Sequence, residues 1–170
     1  TGLANLDNGQ KAELIDLPGT YSLYPRRADE WVAYKVLMHA DLEVEPDLVL
    51  LVADASNLKR NLLFCSQIID LRVPVVVALT MNDLAEKKGT IIDVKGLEAE
   101  LGVPIVLVNP RKNKGLTELK SILANFAKAP AINNRADFIE NQKMAPKAIA
   151  EVQKIFPQLS DYAAVHYLIN

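Results

Sequence analysis

Asp16-Leu17-Pro18-Gly19 has D-x-x-G spacing, which places one carboxylate and one unencumbered backbone N–H near a common point. Asp16 supplies an oxygen where a bound Mg²⁺ needs a ligand, directly or through water. Gly19 has no side chain, so its N–H can approach a phosphate oxygen closely. A second stretch, "ALTMNDLAE" (78–86), carries Asp83, whose carboxylate can accept from a pair of N–H donors. A third, "VNPRKNKG" (108–115), carries Asn109, Pro110 and Arg111. There a backbone N–H could meet a carbonyl of the same ligand. Pro110 has no N–H, so Arg111 or a neighbour must provide it.

Each stretch also has a plainer reading. "DLPG" is a common strand end and turn, Asp83 could simply cap a helix over "LAEKK", and 108–115 could be an ordinary polar loop. Position favours chemistry for the first two. Each follows an apolar, strand-like run, and ligands of doubly wound sheets sit at the carboxyl ends of strands. Guanine recognition uses N-K-x-D, whose Asp accepts from N1–H and the N2 amine. Asp83 fits that role, with Thr80 at the Asn position and Met81 at the Lys position.

The elements that must position these residues follow from periodicity. The chain opens as a hairpin, with Asn8-Gly9 between strand-like runs. "ADEWVAYKVLMHA" has helical spacing, "DLVLLVADAS" is a continuous apolar strand, and Ser56 or Asn57 can cap the helix in "NLKRNLLFCSQIIDL". "VPVVVALTM" is a second buried strand. "DVKGLEAELGVPIVLVN" gives a helix, a stop at Gly102 and a third strand, and "GLTELKSILANFAK" gives another helix. This alternation predicts an α/β, doubly wound, mostly parallel sheet. Near residue 130 the pattern changes. A polar stretch leads into two amphipathic helices, "MAPKAIAEVQKIF" and "SDYAAVHYLIN", so we divide the chain into 1–130 and a small helical element, 131–170.

Composition narrows the partners. A chain of 170 residues, half hydrophobic and with a net charge of −2, has ample core and no overall basic balance for nucleic acid. Its apolar runs fall well short of the ~20 residues that span a bilayer. The lone Cys65 lies in a helical stripe and reads as a buried thiol, which fits a cytosolic setting. His39 and His166 read as surface or helix-terminal histidines, because no second His or Cys has ligand spacing around either. Arg26 and Arg27, followed by Asp29 and Glu30, read as a solvated loop.

Three stretches carry a resemblance. "IDLPGTYSLYPRRADE", "DLVLLVADASNLKRNLLFCSQIIDL" and "VVVALTMNDLAEKKG" resemble the cytosolic GTP-binding domain of bacterial ferrous-iron transport protein B, across nearly all of residues 1–130. The tail from about 131 resembles the start of the helical domain that links this GTPase to a membrane permease in the same polypeptide. The resemblance implies a Mg²⁺-dependent GTP/GDP switch regulating or driving Fe²⁺ uptake on the cytoplasmic side of the inner membrane. It gives Asp16 the Mg²⁺ role and Gly19 the γ-phosphate role. It assigns Asp83, with Thr80 and Met81, to guanine, and residues 109–111 to the remaining base contact. Met81 matches the family's N-M-x-D, and Thr80 departs from its Asn. Thr20 follows Gly19 where faster GTPases carry a water-orienting Gln, which implies slow intrinsic hydrolysis.

In this family the phosphate loop and switch I precede the position of Thr1. The expectation is therefore a G domain without its first strand and first helix, not competent to hold nucleotide alone, with residues 20–30 mobile. Two alternatives stand beside it. One is a non-catalytic assembly module that self-associates through an exposed sheet edge. The other is a doubly wound domain serving another nucleotide.

Overall fold

The computed structural model describes residues 1–38, 46–128 and 135–169. His39 and the expected boundary near 130 lie outside them. The chain opens with an antiparallel hairpin, β1 (Gly2–Asn5) and β2 (Lys11–Leu14), in register Gly2↔Leu14 to Asn5↔Lys11. A short 3-10 turn, Asp7–Gly9, joins them, and Gly9 takes φ +78 there as the Asn-Gly signal requires. After α1 (Ala28–Leu37) come three parallel strands, β3 (Val49–Asp54), β4 (Val75–Thr80) and β5 (Ile105–Leu107), ordered β3-β4-β5. Their crossovers contain α2 (Leu58–Asp70), then α3 (Asn82–Lys87) and α4 (Val94–Leu101). The last strand leads into α5 (Leu116–Lys128).

The pleat decides which helix covers which face. Val75, Val77 and Leu79 of β4 join Leu51, Ala53 and Ile105 in one core, with Cys65, Ile68 and Ile69 of α2. Val76 and Ala78, alternating with them, pack with Val106, Val108 and Leu119 in a second core, which Ile122, Leu123 and Phe126 of α5 extend. Both faces of β4 are thus buried. This explains why its sequence is an unbroken apolar run instead of an alternating one. The doubly wound expectation holds for these strands.

Helix ends follow local chemistry. Asp93 accepts from Gly96 N at 3.0 Å to start α4, and Gly102 ends it at φ +67. The expected caps on α2 differ. Asn57 holds the cap position without a side-chain bond, and Asp54 instead accepts from Ser56 N at 2.8 Å, within a 3-10 turn over Ala55–Asn57. The chain turns one residue group earlier than expected because the strand's last carboxylate reaches the first free N–H.

Beyond residue 134 come α6 (Asn141–Met144), α7 (Pro146–Ile155) and α8 (Asp161–Ile169). Ile149, Val152 and Ala164 form a small core of their own. Tyr162 and Ala163 belong to the main core, so α8 packs on two sides. His166 corrects the expectation of a surface histidine. It is fully buried, ringed by Tyr24 and Tyr162 at 4.6 Å and Tyr34 at 5.8 Å between ring centroids. Burial holds its imidazole below the ordinary histidine range, because the cation would lose its water.

Candidate functional site

The predicted residues fall where the strands end. Thr80 is the last residue of β4, Asp16 lies just past β2, and residues 109–111 just past β5. Within that layout, the residues differ in how far the chain itself uses them.

On the β4 side, Thr80 donates its hydroxyl to Ala53 O at 3.1 Å, which staples the ends of β3 and β4. Met81 follows in the left-handed region, φ 59, and its side chain is 45% exposed. That turn throws α3 off the strand, and it moves Asp83 from the expected cap position into the helix's first turn. Asn82 donates to Leu79 O at 3.0 Å and closes the turn from within. One Asp83 oxygen accepts from Leu84 N at 3.1 Å, and the other lies 3.9 Å from Lys112 Nζ. Lys112 belongs to the loop after β5, so a charge pair already bridges the two loops assigned to the base.

The β5 loop is a 3-10 turn, Pro110–Lys112. The Asn109 side chain accepts from Lys112 N at 3.2 Å, and Asn109 and Lys114 form an isolated antiparallel bridge. Gly115 seals the loop. At φ +76, a Cβ there would stand 2.0 Å from Leu107 O, so only glycine fits. Arg111 N–H enters no hydrogen bond among the described residues, as is usual in the first turn of a 3-10 helix.

The β2 side is built differently. Asp16 and Gly19 are both exposed, and Asp16 makes no hydrogen bond or ion pair among the described residues. A Cβ added at Gly19 would meet nothing within 4 Å, and the backbone there is not left-handed. Neither packing nor backbone conformation asks for glycine at 19. Thr20 is already engaged, donating to Ser22 O at 2.8 Å and accepting from Ser22 N at 3.3 Å.

The expected mobility of residues 20–30 meets a different picture. Leu23 is 1% exposed, and its N–H donates to Gln67 Oε1 at 3.0 Å. The guanidinium of Arg60 lies 3.9 Å over the Tyr21 ring. Glu30 accepts from Arg26 N at 2.7 Å and Arg27 N at 3.2 Å, which anchors the start of α1. Arg60, Gln67, Lys112 and Gly115 were absent from the sequence-derived site. For Gln67 a signal existed: a polar residue inside the apolar run of "CSQIID" needs a buried partner.

The family model for ferrous iron transport protein B matches residues 1–123. The chain belongs to this family. A curated member from Leptospira biflexa serovar Patoc, named Fe(2+) transporter FeoB, is 46% identical over 112 residues, covering 66% of this chain and 16% of its own length. The Fe(2+) transport protein A/Fe(2+) transporter FeoB fusion protein of Porphyromonas gingivalis is 40% identical over 156 residues, covering 88% and 18%. The chain therefore spans under a fifth of the curated relatives it matches. Among solved structures, the cytosolic domain of the T. maritima FeoB iron transporter in GMPPNP form is similar with a TM-score of 0.80 and 31% identity, over 98% of this chain and 65% of that one. The FeoB G-domain from Methanococcus jannaschii gives a TM-score of 0.65 and 37% identity, over 71% and 75%. The hairpin, the three parallel strands and the helices over both faces are thus a family G-domain fold.

Proposed function

We propose that this chain forms much of the GTP/GDP-binding switch domain of a ferrous-iron transporter, working on the cytoplasmic side of the inner membrane. The observation that carries the reading is the contrast at Gly19. Its missing side chain makes room for nothing among the described residues, and the Asp16 carboxylate, without a hydrogen bond or ion pair among them, lies three residues before it. A backbone kept bare beside a free carboxylate suits a phosphate and its Mg²⁺.

The residues present fit those groups. Mg²⁺ typically takes one or two protein carboxylates and completes its shell with water and phosphate oxygens. No cluster of three or more metal-binding side chains occurs among the described residues, so Asp16 would act alone, through water. Gly19 would offer its N–H to the terminal phosphate. Asp83 would take the guanine donors, with Met81 covering the base and Thr80 holding the strand ends behind it. Arg111 N–H would reach the guanine carbonyl beside Asn109 and Pro110. Bound Mg²⁺ and GTP supply the phosphoryl group and neutralise its charge. The chain supplies position. Thr20, committed to Ser22, would orient water poorly, in keeping with slow hydrolysis.

The 170 residues hold no G-x-x-x-x-G-K-[S/T] loop, so we infer that they do not bind nucleotide alone. We keep 1–130 as the G domain and 131–170 as the start of a helical domain leading to the permease in the same polypeptide. No helix among the described residues is long and apolar enough to cross a membrane. Self-association through the outer edge of β3, which pairs only with β4 among the described residues, is the second reading, and the 64% exposure of Val52 favours it.

Fluorescent-GDP titration tests the first reading, on this chain and on the longest natural polypeptide containing it. We expect binding only by the longer form, with GTP competing and ATP failing. Equal competition by ATP would sink the guanine assignment. Sedimentation of the same samples decides the second, since a strict monomer rules out edge pairing.

A further inference from the structure

Helix α2 carries two buried polar side chains one turn apart, and each is spent on the backbone of a different segment. Gln67 is 4% exposed and accepts from Leu23 N at 3.0 Å. Asp70 is 0% exposed, and its two oxygens accept from Phe138 N and Ile139 N, both at 3.0 Å. Residues three apart on a helix share a face. One face of α2 therefore fastens both the segment after D-x-x-G and the chain entering the helical element.

Neither bond is incidental. A buried acceptor that loses its donor keeps the full cost of leaving water, so each side chain strongly favours its segment in place. Around Gln67, Arg60 lies over Tyr21 one helical stretch earlier on α2. Around Asp70, Arg72 pairs with Asp137. The two segments also meet directly, because the Tyr24 ring packs on His166 of α8 at 4.6 Å. The contacts close a loop by way of the chain: residues 21–24, α2, residues 137–139, onward to α6, whose Gln142 donates to Asp161 of α8 at 3.1 Å, and back through His166 to Tyr24.

We propose that Gln67 and Asp70 are positioning residues that make α2 a shared latch, so that releasing the segment after D-x-x-G loosens the helical element, and the reverse. This deepens the switch reading above and rests on it for the meaning of the segment. It names the route by which residues 16–24 and the helical element sense each other. Coupling follows from the shared helix face and the Tyr24–His166 contact: a segment that leaves α2 also withdraws a surface the other side packs against, and reciprocity is then required by linkage.

Hydrogen–deuterium exchange of this chain without nucleotide tests it. In Gln67→Met, which keeps the size and removes the acceptor, exchange in peptides covering 20–27 should rise about tenfold. Peptides covering 136–140 should rise about fivefold, with β4 unchanged. Asp70→Asn should give the mirror pattern, largest at 136–140 and smaller at 20–27. Gln67→Glu, which retains an acceptor, should restore protection of Leu23. If each variant loosens only its own segment, the latch is wrong. A uniform rise that includes β4 also overturns it, as general destabilisation. If a buried variant fails to fold, Arg60→Ala loosens Tyr21 from the exposed side and must still raise exchange at 136–140. Because no nucleotide is present, failure of GDP binding would sink the switch reading and leave this result standing.

Discussion

The loops after β4 and β5 end neighbouring parallel strands, the stretch after β2 ends a separate hairpin, and the chain treats them in opposite ways. On the base side nearly every polar group is consumed internally: Thr80 by Ala53, Asn82 by Leu79, Asn109 by Lys112, Asp83 by Leu84 and Lys112. On the phosphate side, Asp16 and Gly19 stand open while the residues just beyond them are tied down at Tyr21, Leu23 and Tyr24. The loops proposed above to hold the base are fixed by their own bonds, so a ligand there would cost little ordering. The phosphate side presents two bare groups at the end of a fastened segment. There, the ligand has a conformation to work against. Discrimination suits the first arrangement and switching the second.

The sharpest test contrasts the glycines of the two regions. Gly115→Ala adds a left-handed alanine whose Cβ would press on Leu107 O at 2.0 Å. We expect a loss of about 3 kcal/mol in urea unfolding, from backbone strain and steric displacement together. Gly19→Ala meets open space and should leave unfolding within about 0.5 kcal/mol. In the longest natural polypeptide the same change should weaken GTP binding at least about tenfold, with GDP affected less. If Gly19→Ala destabilises the fold as Gly115→Ala does, the glycine is structural, and the contrast between the two sides collapses.

The fastened segment can also be probed by pH. Burial lowers the pKa of His166 below its unfolded value of 6.5, so between the two values the unfolded chain binds more protons than the folded one. Stability therefore falls as pH drops below about 6.5. Asp70, raised by burial against the two N–H bonds that oppose it, acts with the opposite sign from its raised folded value down to 3.8, so the His166 effect is read from the difference between the natural sequence and His166→Phe. The rings facing His166 are those of Tyr24, Tyr34 and Tyr162. Melting temperatures should fall between pH 7 and 5.5 in the natural sequence and stay flatter in His166→Phe. An unchanged slope would mean that the ring cage does not bury the imidazole as described.

Legibility in the sequence followed the range of the forces involved. Strands, helices and the hairpin turn were readable because apolar periodicity, Gly9 and Gly102 act locally. The places of Asp16, Gly19 and Asp83 beyond strand ends were readable from spacing, and their roles belong to the proposal above. Burial of His166 was not, because it depends on Tyr24 and Tyr34, more than 130 residues away in sequence. Cys65 was readable from its own helix, and burial pushes its thiol up to about 11, so it is inert. The anchoring of residues 20–30 was missed for the reason His166 was. The missing phosphate loop suggested an unheld segment, while Gln67 and Arg60 of α2 and His166 of α8 meet it at Leu23, Tyr21 and Tyr24.

The smallest expected effect is the most discriminating for the base side. Lys112 Nζ lies 3.9 Å from Asp83, and both side chains are about half exposed. A pair this long and this wet contributes at most about 0.5 kcal/mol. Asn109 and Gly115 already shape the loop without it. Lys112→Ala should therefore leave thermal unfolding almost unmoved, within about a degree or two. In the longer polypeptide it should also leave guanine affinity within about twofold, because Asp83 loses a competitor as well as a support. A large loss of affinity without loss of stability would show that the lysine orients Asp83 for the base. The base side would then be assembled by the charge pair, and the division between a finished pocket and a waiting switch would have to be redrawn.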